Sequence, residues 1–493
     1  MSYHRPVNPS LYQLNTRVYL STLGRTTTID QIPDSFIDEL KHRGFDWLWL
    51  LGVWKLGPRS REVSRSTAAW RAEYQETLPD LTEADITGSP FAVCEYTVDP
   101  ILGGDTALAR FRTRLAQRGI KLMLDFVPNH VGLDHPWAIT NPEYFIQGPS
   151  TGPTADHFRW CRLETGHVFA FGRDPNYPGW PDTLQLNYYN RDLRAAMCRE
   201  LISIASRCDG VRCDMAMLLE PEIFHRTWGA TTGASEDDLP LFWPEAIKAT
   251  RRANPDFLFV AEVYWNYEYK LQQHGFDYTY DKTLYDRIIH RNGPYLRGHL
   301  IAPLSYQGKM VRFLENHDEA RIASKLSIHE HRAAAVVTFL SPGLRFFHNG
   351  QLEGDTIRIP VHLSRGPREK PRADIEEIYR RLLPIINSPA GKNGSWNLLD
   401  TRQAWPTNPT NENFICYLIE HPLQTLLVSV NYASYRGQCF VRIPDRTWLT
   451  NSLEFRDLLS HERLVRNGSD LLDRGLFLDC DAWQSHIFVI DHP

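Results

Sequence analysis

The chain has 493 residues, 42% of them hydrophobic and 23% charged, and carries a net charge of −5. These proportions are ordinary for a globular protein, and the length exceeds what one core holds, so one large domain with one or two smaller ones is expected. The slightly acidic balance excludes the electrostatic footprint of a partner for nucleic acid or an anionic membrane, and no run approaches the roughly 20 apolar residues of a spanning helix.

Residues 1–10 show no apolar core of signal-peptide length. The eight cysteines (Cys94, Cys161, Cys198, Cys208, Cys213, Cys416, Cys439 and Cys480) form no CxxC pair. Read as reduced packing residues, they place the protein in the cytoplasm. Oligomeric state leaves no mark in the sequence.

In chain order, Val18-Tyr19-Leu20 reads as a first short strand and residues 35–43 as a helix. Residues 44–51 are a continuous apolar strand, the mark of a parallel sheet buried on both faces. Residues 54–90 are polar and read as a long loop. A helix over 105–118 sets Leu108, Phe111 and Leu115 on one stripe, ahead of the buried strand Lys121–Phe126. Residues 131–189 lose periodicity among Pro, Gly, Asn and aromatics, which predicts a loop-rich inserted subdomain. Asn190 then caps a helix carrying Leu193, Met197, Leu201 and Ile204, which leads into strand 209–214.

Helix 245–253, strand 257–261, strand 311–314, helix 330–340 and strand 344–347 continue the alternation, and Ala373–Ile386 is a last helix. The pattern predicts an α/β fold, a (β/α)8 TIM barrel over 1–130 and 190–393 with the insertion at 131–189 after the third strand. Beyond 394 the reading changes to short alternating strands at 414–419, 425–431, 439–443 and 485–490. That predicts a C-terminal antiparallel β-sandwich over 394–493.

Chemistry collects at the C-terminal ends of barrel strands, and four ends here are polar. Lys121-Leu-Met-Leu-Asp125 runs on to Asn129 and His130, and Asp209-Gly-Val-Arg212-Cys-Asp214 ends in a pair on one face of its strand. Phe259-Val-Ala-Glu262 is followed by Val263, Tyr264 and Trp265, and Phe313-Leu-Glu-Asn316-His317-Asp318 closes the set. Cleaving a glycosidic bond with retention needs two carboxyls about 5–5.5 Å apart, one ionised and one protonated. Arg212 beside Asp214 favours the first state, and the apolar frame of Glu262 favours the second.

These four segments, in this order, resemble the four signature regions of the α-amylase family of glycoside hydrolases. The likeness extends to Gly88-Ser-Pro-Phe91, Gly350-Gln-Leu-Glu-Gly354, the strand Trp47–Leu51 and the C-terminal β domain. It implies that Asp214 is the nucleophile, Glu262 the general acid/base, and Asp318 the carboxylate that grips ring hydroxyls. It further implies that His130, His317 and Phe91 meet the sugar, that Arg212 keeps Asp214 ionised, and that Asp125 organises the strand end by hydrogen bonding to Arg212. Trp265, Trp180 and Trp54 are open to sugar stacking or to packing.

The sequence departs from that pattern in three places. Met217 and Leu218 stand where many endo-acting members carry Lys-His, which takes a polar handle from the leaving-group side, argues against endo attack on polymers, and points to small products from soluble maltooligosaccharides. Phe91 replaces the usual stacking Tyr. Gln185 replaces a carboxylate expected near Asn129 in a calcium site, and the insertion otherwise offers Asp156, Asp174 and Asp182. The reading is therefore no metal cofactor, with calcium held by Asn129 and the Leu218 backbone as the alternative.

The function implied is a retaining hydrolase of α-1,4-glucans and maltooligosaccharides. The same three carboxyls would equally serve a 4-α-glucanotransferase, in which a sugar hydroxyl replaces water. A non-catalytic glucan-binding barrel is the third reading, and the intact carboxyl set argues against it.

Overall fold

The computed structural model describes residues 6–149, 159–449, 452–460 and 462–491. Eight parallel strands close into a barrel: β1 (Ser10–Asn15), β2 (Trp47–Leu51), β3 (Lys121–Phe126), β4 (Gly210–Cys213), β5 (Leu258–Ala261), β6 (Tyr278–Tyr280), β7 (Met310–Arg312) and β8 (Leu344–His348). Closure is made by β1, which pairs with β2 on one side and with β8 on the other. β2 and β4 are buried at every position, β2 as a continuous apolar run flanked by helices and β4 with Arg212 inside it. Gly210 is needed at the start of β4, because a Cβ there would meet the Leu258 carbonyl oxygen at 2.9 Å.

Two expectations fail in the first third. Val18-Tyr19-Leu20 lies in helix α1 (Thr16–Leu23), and the first strand is Ser-Leu-Tyr-Gln-Leu-Asn at 10–15. The polar Ser10 and Gln13 are buried with the rest of that strand, so its core position is hidden from hydropathy. Residues 54–90 are not a loop. They hold strand Trp54–Leu56, paired with Val93–Val98, and helices α2 (Pro58–Ser66) and α3 (Ala68–Thr77). α2 starts with proline at its first position, a start signal, yet buries only Ser60 and Ser64 and so carries no apolar stripe. The sequence reading also passed over β6 and the helix Pro221–Thr232.

The insertion is tied to the barrel at its root, where His130–Gly132 pairs antiparallel with Thr183–Gln185. After the last barrel helix comes a six-stranded antiparallel sheet with edge strands Ser395–Leu398 and Arg463–Asn467, and a three-stranded sheet faces it. Leu418, Leu427 and Phe488 of the larger sheet share one core with Cys439, Val441 and Leu478 of the smaller, which makes a β-sandwich. Among the described residues no helix is long and apolar enough to cross a membrane.

Candidate active site

The backbone ladder runs past the ends of β4 and β5 and sets the central side chains beside one another. Asp214 N donates to Phe126 O at 2.8 Å, and Glu262 N donates to Cys213 O at 3.0 Å. Arg212 sits beneath them, 1% exposed, with Nη1 2.5 Å from Asp214 Oδ1 and Nη2 2.7 Å from Glu262 Oε2. Its guanidinium is walled by the rings of Phe91 at 5.2 Å, Trp49 at 5.5 Å and Tyr280 at 5.9 Å. One arginine thus serves both carboxyls, where the sequence pattern had placed it beside Asp214 and Asp125.

Glu262 is held from three directions. Besides Arg212, the Met215 amide donates to Oε2 at 2.7 Å, from a left-handed turn with φ 42°, and the Tyr264 hydroxyl donates to Oε1 at 2.8 Å. Burial pushes the Glu262 carboxyl up to about 8, and the charges of Asp214 and Asp318 add to the rise that Arg212 opposes. Asp318 is the most open of the three carboxylates, with its side chain 45% exposed and Oδ2 3.1 Å from His317 Nε2. Asn316 shapes its loop by accepting from the amides of Asp318 and Glu319 at 2.9 and 2.8 Å.

The two histidines are neutral hydrogen-bonding groups. Burial pushes His130 down to about 4 and His317 well below the ordinary range. His317 Nδ1 lies 3.0 Å from Gln13 Nε2, and its ring packs edge-on to Trp49 at 5.8 Å. The His130 ring lies 4.9 Å from that of Trp180. Asp214, Glu262, Asp318, Phe91, His130 and Trp180 line one cleft of about 340 Å³.

Several expected contacts fall elsewhere. Asp125 does not bond to Arg212: its oxygens accept from Trp49 Nε1 at 3.1 Å and Gly52 N at 2.8 Å, so it ties β3 to the end of β2. Trp54 is fully buried and donates to the Asp125 carbonyl at 2.8 Å, a packing role. Trp265 is 37% exposed, at φ 62°, and is not part of the cleft lining. Met217 and Leu218 are 0% and 3% exposed in the turn Ala216–Leu219, so neither presents a side chain to a leaving group. Met215 faces the cleft instead.

Gln185 and Asn129 are clamped to each other. Gln185 Nε2 donates to Asn129 Oδ1 at 3.0 Å, to Asn129 O at 2.9 Å and to Leu186 O at 3.1 Å, while Asn129 Nδ2 returns to Gln185 Oε1 at 3.3 Å. Donors aimed at these oxygens suit amides and oppose a cation, and no group of three or more His, Cys, Asp or Glu among the described residues is arranged to hold a metal. Asp174 accepts from the amides of Asn176 and Tyr177, Asp182 lines the cleft, and Asp156 lies outside the described residues.

Trp70, Asp182, Met215, Tyr264 and His362 also line the cleft and were not assigned to it from sequence. Tyr264, two residues after Glu262, carried a legible signal, since i and i+2 share a face in extended chain. Trp70 and His362 sit on segments whose position only the fold supplies.

A closed (β/α)8 barrel with facing carboxyls at its C-terminal mouth, one of them held near neutrality, is a protein built for acid/base and nucleophilic work on a small polar substrate. Residues 92–292 match the family model described as alpha amylase, catalytic domain. The chain is similar to Alpha-amylase 3 of Dictyoglomus thermophilum, at 23% identity over 73% of this chain and 71% of that protein. It is similar to an intracellular maltogenic amylase of Bacillus subtilis at 22% identity, over 62% of this chain and 51% of the relative. In structure it resembles a maltogenic α-amylase from Thermotoga neapolitana, with a TM-score of 0.68 at 19% identity and 98% of each chain covered. Over residues 92–292 the chain thus carries the likeness of an α-amylase catalytic domain, and its similarity to α-amylases extends over most of its length.

Proposed function

We propose that the protein is a retaining hydrolase of α-1,4-glucans and maltooligosaccharides that works through a covalent glycosyl-enzyme. The observation that carries this reading is the shared Arg212, with Asp214 at 2.5 Å and a Glu262 carboxyl pushed up to about 8. Glu262 is then protonated at neutral pH while Asp214 sits in contact with a permanent cation.

In the first step an Asp214 oxygen bonds to the anomeric carbon as the glycosidic C–O bond breaks. The electron pair leaves with the glycosidic oxygen, which takes the proton from Glu262. In the second step the Glu262 carboxylate takes a proton from water, whose oxygen bonds to the anomeric carbon and releases Asp214. Asp318 and the neutral His130 hold the hydroxyls of the bound ring, and His317, expected from sequence to meet the sugar, is buried outside the cleft lining with Nε2 3.1 Å from Asp318 Oδ2. Phe91 offers it an apolar face.

Calcium has no part in this reading, because the amide clamp of Gln185 and Asn129 occupies the ground where carboxylate ligands would be needed. The eight free cysteines support a cytoplasmic setting. Incubation with maltoheptaose tests the proposal. Glucose or maltose supports hydrolysis, chains longer than the substrate support glucanotransfer, and an unchanged substrate overturns both.

A further inference from the structure

The segments after β2 and after β8 flank β1, and they are joined to each other over a long front. Thr87 N donates to His362 O at 2.9 Å, Ser364 N donates to Asp85 O at 2.8 Å, and Ile86 bridges Leu363. Arg365 grips Asp85 at 2.9 Å and Asp80 at 3.0 Å, and Arg358 pairs with Glu73 of α3. At the inner edge the rings of Trp70 and His362 stack at 4.6 Å and 28°, and both line the cleft. The Arg358 charge reaches Asp318 and His317, so this wall stands beside the catalytic groups.

The ring order of the barrel says which end of the substrate meets the wall. β5 carries Glu262 and lies four strands from β1 around the eight-stranded ring, directly across the mouth. Glu262 protonates the departing oxygen, so the leaving part of a glucan lies on the β5 side. The retained part extends the opposite way, towards β1, where the joined segments stand. A polymer threading through would need an open groove there. In the cleft of about 340 Å³ the stacked rings of Trp70 and His362 instead form part of the lining.

We propose that the Trp70–His362 stack, braced by the Glu73–Arg358 pair, caps the cleft where the non-reducing end of the glucan enters, making the enzyme exo-acting on unblocked chain ends. This rests on the glycosidase reading of the cleft. It does not rest on Met217 and Leu218, which are buried.

The test compares maltoheptaose with maltoheptaose whose terminal non-reducing glucose carries a 4,6-O-benzylidene block, products being followed by chromatography. The free substrate should be cleaved to small sugars from the first minutes and the blocked one at least 100-fold more slowly. Equal cleavage of the two overturns the cap. Cleavage of neither overturns the glycosidase reading itself, a separate result. In Trp70→Ala/His362→Ala, the rate on the blocked substrate relative to the free one should rise at least tenfold; an unchanged ratio removes these rings from the role. The wild-type comparison stands whether or not the double variant folds.

Discussion

Arg212 Nη2 lies 2.7 Å from Glu262 Oε2, and the Glu262 carboxyl is nevertheless pushed up to about 8. A cation at that distance lowers a carboxyl's pKa. Here it is divided between two carboxylates, while burial and the charges of Asp214 and Asp318 act in the other direction. Their sum wins, and the pair is poised with one group to attack and one to donate a proton.

The acid limb of the chemistry needs Glu262 protonated, a state present below its folded value and lost as pH rises through it. The kcat/KM of the wild-type enzyme should therefore fall above about pH 8. Glu262→Gln should lose most of its activity on substrates with poor leaving groups and far less on activated aryl glycosides. Equal losses on both would show that Glu262 is not the proton donor.

Asp214→Asn removes the attacking oxygen's charge without changing side-chain size. Turnover should fall by several orders of magnitude while the melting temperature stays within a few degrees of wild type. A variant retaining more than about a tenth of wild-type kcat would remove Asp214 from the nucleophile's position.

The amide clamp predicts indifference to metal. Prolonged EDTA treatment should leave activity and melting temperature unchanged, since a bound ion would otherwise stabilise the fold by mass action. Gln185→Glu puts a carboxylate beside Asn129 Oδ1, and this variant should lose stability through the broken amide pair. A calcium-dependent rise of several degrees in the wild-type melting temperature would contradict the clamp.

Asp125 is a fully buried tie between β3 and the end of β2. Asp125→Ala leaves the Trp49 indole N–H and the Gly52 amide without acceptors, each costing about 1–3 kcal/mol. The expected outcome is a drop in unfolding free energy of a few kcal/mol by urea titration, larger than the loss in KM. An unchanged midpoint would mean that the two donors find other partners.

Trp180 lines the cleft and Trp265 does not. Trp180→Ala should raise KM for maltoheptaose several-fold, because its ring lines the cleft beside His130. Trp265→Ala should change KM by less than twofold, and a larger effect would place Trp265 on the substrate path.

The sequence by itself determined the barrel class and the three central carboxylates. Strands such as Trp47–Leu51 are unbroken apolar runs because helices cover both faces; Asp214 and Glu262 each follow the last residue of a strand, and Asp318 lies six residues past Arg312. Local pattern is enough for that. Ser10–Asn15 escaped because its buried Ser10 and Gln13 look polar, and α2 because its buried face is made of serines. Burial of such groups is decided by partners far along the chain. Gln13 meets His317 and His348, and Ser60 meets the carbonyl of Asp182 and the amide of Leu133.

Only the tertiary structure decided that Arg212 is shared, that Asp125 serves Trp49 and Gly52, that Met217 and Leu218 face inward, and that Trp70 meets His362. The physical reason is the same in each case. A motif specifies the direction of a side chain within its own strand or turn, whereas contacts between 70 and 362 or between 212 and 262 depend on how the closed ring brings separate loops to one mouth.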